Sequence, residues 1–122
     1  ARGRVIAIVE PHRYTRVRDL FEDFANCFRD ADAVIVTPLY TAGEAPISGI
    51  SHTILAEAIR KGGHRGVVSV DNARELPQAV RELARPGDMV VCLGAGNSTE
   101  WAHALPDLLA EPQRIERAGG KV

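Results

Sequence analysis

The sequence predicts an α/β fold: a parallel β-sheet covered by helices on both faces. Short apolar runs rich in Val and Ile alternate four times with segments of helical periodicity, and the runs are apolar almost without interruption. A strand buried on both faces has no polar side to show, and this is the pattern of a parallel sheet rather than a half-solvated antiparallel one.

Residues 5–9, Val-Ile-Ala-Ile-Val, form the first strand, and Pro11 bars its smooth continuation. Val17, Leu20, Phe21, Phe24, Ala25 and Phe28 then recur at i, i+3, i+4 and i+7, which predicts one amphipathic helix. Residues 33–37 are the second strand. The connection at 38–49 is long for a strand-to-helix loop. A helix follows over about 51–61, stopped by Gly62 and Gly63. Residues 67–70 are the third strand. Asn72 with Glu75 forms a capping box opening the next helix. That helix runs to about Ala84 and ends at Pro86-Gly87. Residues 89–93 are the fourth strand, closed by Gly94-Ala95-Gly96. The last helix opens at Asn97, and Pro106 is expected to bend or restart it. The pattern begins on a strand with nothing ahead of it, so the fold is expected to lack a leading strand and helix.

The 122 residues suit one domain, read as 1–110 with a polar tail at 111–122. A formal charge of −1 gives no support to a nucleic-acid or membrane-surface role. No apolar run is long enough to span a bilayer, and no signal peptide is recognisable. Cys27 and Cys92 belong to no C-x-x-C pair and read as small core hydrophobes in a reducing compartment. His52, His64 and His103 fall in separate elements without metal spacing, so no metal site is expected. Gly94 and Gly96 lack the third glycine of a dinucleotide fingerprint, because Thr99 stands there, and there is no P-loop.

In a parallel sheet all the carboxyl ends of the strands share one edge, where open α/β folds bind their ligands. The unusual residues leave that edge. Arg13 and Arg16, beside His12 and Tyr14, lie where the first strand hands over to a helix. Three residues apart in a first helical turn, two guanidinium groups can converge beside a positive helix end, a setting for a carboxylate or phosphate. The plainer alternative leaves these arginines solvated or paired with Asp19, Glu22 or Glu10. The long loop contributes Tyr40, Glu44 and Pro46 to the same edge.

Taken in order, His12-Arg13-Tyr14-Thr15-Arg16, the run from Tyr40 to Gly49 (YTAGEAPISG) and Gly94-Ala95-Gly96 resemble the C-terminal domain of the Mur ligases. Within that family they look like those that join L-alanine to UDP-N-acetylmuramate. The resemblance covers most of the chain. It implies a Rossmann-like domain of a three-domain parent enzyme, which uses ATP and magnesium to make an acyl phosphate that the amine of L-alanine attacks. It implies that Arg13 and Arg16 hold the alanine carboxylate with His12 lining the same site. Tyr14, Tyr40, Glu44, Gly94 and Gly96 would face the cleft without an assigned role. The partners implied are L-alanine, UDP-N-acetylmuramate, ATP and the remaining domains, in the cytoplasm, with peptidoglycan precursor as product. This stretch alone is expected to hold neither ATP nor magnesium and to be catalytically silent. A murein tripeptide-recycling ligase of the same family and a free-standing amino-acid- or anion-binding module stay open as alternatives.

Overall fold

A computed structural model describes residues 4–64, 66–94 and 97–110, with only the backbone described at 98–99 and 107–110. Four strands form one all-parallel sheet: β1 (Val5–Val9), β2 (Ala33–Val36), β3 (Val67–Ser69) and β4 (Met89–Leu93), in the order β3-β2-β1-β4. The alternating side chains of β1 explain why the runs are apolar throughout. Ala7 and Val9 join Val34, Val36, Leu55 and Ile59 on one face, while Ile6 and Ile8 join Ile35, Leu76, Val80 and Leu105 on the other. Both clusters are buried, so no position on the central strands is free to be polar.

After α1 (Tyr14–Asp19), the first face is covered by α2 (Phe21–Asn26) and α3 (His52–Lys61), and the second by α4 (Leu76–Leu83) and α5 (Ser98–Ala110). The helix expected to run unbroken from Val17 through Phe28 is two six-residue helices. Leu20 breaks them with φ −114° and ψ 23°, outside helical values, and is left exposed. Val17 is buried, and past the break Phe21, Phe24 and Phe28 pack against the cluster that α3 completes. Periodicity had continued through the break because apolar side chains on either side of it, Val17 before and Phe21 and Phe24 after, are still spaced as in one helix.

The expected helix caps hold with small shifts. Ser51 caps α3, its hydroxyl accepting the Ile54 N–H at 3.1 Å, and Gly63 ends the turn beyond it at φ +110°. The capping box at Asn72 opens a 3₁₀ turn (Ala73–Glu75) before α4 begins. Glu75 reaches back to the Asp71 N–H at 3.1 Å rather than to that of Asn72. Pro106 does not restart α5, which is one helix throughout. A proline there removes one intrahelical hydrogen bond, while Leu105 is buried and Trp101 packs alongside it on the sheet. Cys92 packs half-buried as expected, but Cys27 is exposed at the end of α2. The polar tail lies outside the described residues.

The order of connections fixes the geometry of the site. From β1 the chain steps to β2 and β3 on one side, then returns past both to place β4 on the other side of β1. The direction therefore reverses between β1 and β4. Helix α1 leaves β1 toward one face and α5 leaves β4 toward the other, which opens a crevice at their carboxyl ends.

Candidate functional site

That crevice is present as a cavity of about 330 Å³ lined by Val9, Glu10, His12, Arg16, Leu93 and Gly94, with Phe24, Cys27 and Phe28 as its apolar wall. An adjoining open groove is lined by His12, Arg13, Thr15, Arg16, Asp19 and Leu20. His12 and Arg16 border both, so the two hollows meet at these side chains.

Three contacts shape the motif after β1. First, β1 and β2 pair again beyond their last regular residues, at His12 and Tyr40. The Tyr40 N–H donates to the Pro11 carbonyl and the Arg13 N–H to the Tyr40 carbonyl, both at 2.8 Å. Second, the His12 and Tyr40 rings stack at 5.2 Å with planes 7° apart. Stacking buries the His12 Nδ1 without a hydrogen-bond partner among the described residues. Third, the Glu44 carboxylate meets the start of α1. Its Oε1 accepts the Thr15 N–H at 3.1 Å and its Oε2 the Thr15 hydroxyl at 2.6 Å.

Arg13 does not lie in the first helical turn, as its spacing had suggested. Pairing with Tyr40 keeps the chain extended through His12, and Arg13 becomes the N-cap of α1 with φ 69° and ψ 137°. For a residue with a Cβ this is a sparsely populated conformation. Arg16 follows in the helix, and both arginines are exposed on the same groove. Of their three expected competitors, Asp19 pairs with Arg18 at 2.9 Å and Glu10 binds Asn97, while Glu22 forms no ion pair with either arginine among the described residues. Among the described residues no ion pair is formed by Arg13 or Arg16.

The other anticipated residues take distinct places. Gly94 lines the crevice with φ 151°, whereas Gly96 lies outside the described residues. Tyr14 is half-buried at the first position of α1, its backbone N–H beside the Glu44 carboxylate. The hydrogen bonds from Thr15, with smaller help from Tyr14 and Arg13, hold the Glu44 carboxyl below its ordinary pKa. Two residues had escaped notice as contributors. Glu10, 3% exposed, sits at the floor of the crevice and holds the chain leading into α5. Thr15 is the partner that gives Glu44 its orientation. A lone acid between Val9 and Pro11 at a strand's end was the available sign for Glu10. Nothing in the sequence pairs Thr15 with an acid 29 residues away.

A family model described as "Mur ligase, glutamate ligase domain" matches residues 1–96. The chain belongs to this family of Mur ligase C-terminal domains. It is 54% identical over 120 residues to a UDP-N-acetylmuramate–L-alanine ligase of Parvibaculum lavamentivorans, covering 98% of the chain and 24% of that protein. Ligases of the same name from Brucella anthropi and Methylocella silvestris are 56% and 58% identical, over 90% and 89% of the chain and 24% and 23% of their own lengths. This Mur ligase domain thus spans about a quarter of the curated relatives it matches. Among the described residues no helix is long and apolar enough to cross a membrane.

Proposed function

We propose that this domain binds the incoming amino acid in a cytoplasmic ligase that joins L-alanine to UDP-N-acetylmuramate, in peptidoglycan precursor synthesis. The parent reaction is ATP-dependent and passes through an acyl phosphate. The observation that carries the reading is the pair Arg13 and Arg16, exposed on one groove at the sheet's switch point, neither held by an acid among the described residues. The names and coverage of the relatives above support the substrate choice.

An amino acid at neutral pH carries a carboxylate and an ammonium group. Two guanidinium groups can grip the carboxylate through charge-assisted hydrogen bonds, each contributing about 1.5–3 kcal/mol. Held at that end, the amino acid presents its nitrogen to an activated carboxyl, and such positioning removes several kcal/mol of barrier. Among the described residues no group of three His, Cys, Asp or Glu is arranged to hold a metal. ATP and magnesium enter this proposal through the parent enzyme, and no step described above uses either on this domain.

The test is ADP release by the full-length parent with UDP-N-acetylmuramate across an alanine titration. Arg16→Ala should raise KM for alanine about 10- to 100-fold and leave KM for ATP unchanged. An unchanged KM for alanine would remove the arginines from the substrate site.

A further inference from the structure

The Arg13–Arg16 grip is not built by its own segment alone. Helix α1 has six residues, opens without a cap from its own side chains and contains no acid in its first turn. Its N-cap, Arg13, stands in a sparsely populated backbone conformation. Such a conformation is costly and persists only where the surroundings impose it. The surroundings here are the loop after β2, from which Tyr40 holds the Arg13 N–H and Glu44 holds Thr15.

We propose that Glu44 is a positioning residue for the substrate carboxylate, acting through Thr15 to fix the first turn of α1 and so the spacing of Arg13 and Arg16. This deepens the alanine-binding reading and rests on it. The geometry is that of an N-cap supplied by another segment: a carboxylate oxygen accepts the N–H of the second helical residue, as a capping Asp or Ser does from within a helix. The second oxygen takes the Thr15 hydroxyl, which leaves the carboxylate facing two donors and prevents it from swinging to the arginines.

Position and charge both matter. Glu44 lies close enough to Arg13 for attraction between them to lower the Glu44 pKa, though as the smallest of its causes. A carboxylate this near an anion-binding pair would compete with the substrate if it were free to rotate. Bound to Thr15, it organises the pair without occupying it. The loop makes this possible through a tight turn: Ala42 and Gly43 have φ of 52° and 87°, and the Glu44 N–H returns to the Thr41 carbonyl at 3.0 Å. That turn aims Glu44 back toward α1.

The experiment measures KM for alanine and for ATP, and kcat, in the full-length parent carrying Thr15→Val, Thr15→Ser, Glu44→Ala or both Glu44→Ala and Thr15→Val, beside Arg16→Ala. Loss of the cap in Glu44→Ala should raise KM for alanine about 3- to 30-fold with KM for ATP unchanged, and Thr15→Val, which keeps the backbone donor and loses the hydroxyl, should raise it by less. Thr15→Ser, which keeps both donors, should bring KM back to within about twofold of wild type. The double variant should be no worse than Glu44→Ala, because Thr15→Val then removes a hydroxyl that has already lost its acceptor. If Arg16→Ala raises KM while Glu44→Ala and Thr15→Val leave it unchanged, Glu44 does not position the arginines. If Arg16→Ala itself has no effect, the alanine-binding reading fails instead. Should Glu44→Ala not fold, Thr15→Val against Thr15→Ser decides alone: equal KM values for the two overturn the proposal.

Discussion

The Glu10 carboxylate receives the backbone N–H of Asn97 at 2.8 Å and its side-chain amide at 3.2 Å, tying the end of β1 to the start of α5. The bond spans the crevice between the two strands whose connections diverge, and it closes the floor on which the arginine motif stands. Glu10 is itself buried, and its N–H bonds to the Leu93 carbonyl at 2.9 Å.

Removing that acceptor should therefore cost stability. Glu10→Ala takes the charged acceptor away from two donors of the exposed Asn97, and the loss of hydrogen bonds to a charged group should cost about 1–3 kcal/mol. The melting temperature should fall by about 5–15 °C. Glu10→Gln offers one carbonyl oxygen where the carboxylate has two and should fall between the two proteins. A melt unchanged in Glu10→Ala would mean that the link carries no net stability.

The contrast between Glu10 and the strands around it marks what the sequence could convey. Apolar runs such as Val-Ile-Ala-Ile-Val announce a doubly covered strand because burial on both faces leaves no other composition open to it. The carboxyl edge, and with it Arg13, Arg16 and His12, followed from strand direction alone. The conformation of Arg13 did not, because it is imposed by Tyr40, 27 residues away in the chain. The break at Leu20 was hidden because two short helices in succession keep the apolar spacing that a single helix would show.

Asp88 should make the domain acid-sensitive. It accepts the Arg4 N–H and the Arg85 N–H, both at 2.8 Å, and pairs with the Arg4 guanidinium at 3.1 Å. These bonds, led by that from the Arg4 backbone, hold its carboxyl below the ordinary value. A carboxylate with a lowered folded-state pKa contributes stability above its unfolded pKa of about 3.9, and that contribution is lost as pH falls through the folded value. Glu44 acts in the same direction. Asp88→Asn should be less stable than wild type at pH 7, with the gap in denaturation midpoint closing below about pH 4. A gap that stays constant down to pH 3 would show that the charge of Asp88 is not what matters.

The two thiols should react slowly in the native protein. Burial raises the pKa of both Cys27 and Cys92, and at Cys27 the nearby Asp23 adds to the rise. Only the thiolate is nucleophilic, so at neutral pH each should alkylate more slowly than a free cysteine. Cys27 is the more exposed and should be modified first. Labelling with iodoacetamide followed by mass spectrometry checks both the rate and the order. Faster labelling at Cys92 would require the sheet edge at β4 to open.

Gly43 and Gly66 should differ in why they resist substitution. At Gly43 a Cβ would meet nothing within 4 Å, so only the φ of +87° opposes a side chain. Gly43→Ala should then cost about 1–2 kcal/mol, the ordinary penalty of a left-handed residue. At Gly66 the backbone imposes no such φ, but a Cβ would lie 2.7 Å from the Asp32 carbonyl oxygen and 3.2 Å from the Ala33 Cα. Neither neighbour is a flexible side-chain tip. Asp32 and Ala33 lead into β2, and the Val34 N–H bonds to the Gly66 carbonyl at 2.8 Å, so relief requires the two chains to part where their pairing begins. Gly66→Ala should cost about 1–3 kcal/mol through this overpacking. The two causes separate on replacement by asparagine, which tolerates the left-handed region better than alanine does. Gly43→Asn should be milder than Gly43→Ala, while Gly66→Asn should be at least as damaging as Gly66→Ala. Thermal melts of the four variants decide it, and a Gly66→Asn protein more stable than Gly66→Ala would show that backbone conformation, not the approach of β2, selects glycine there.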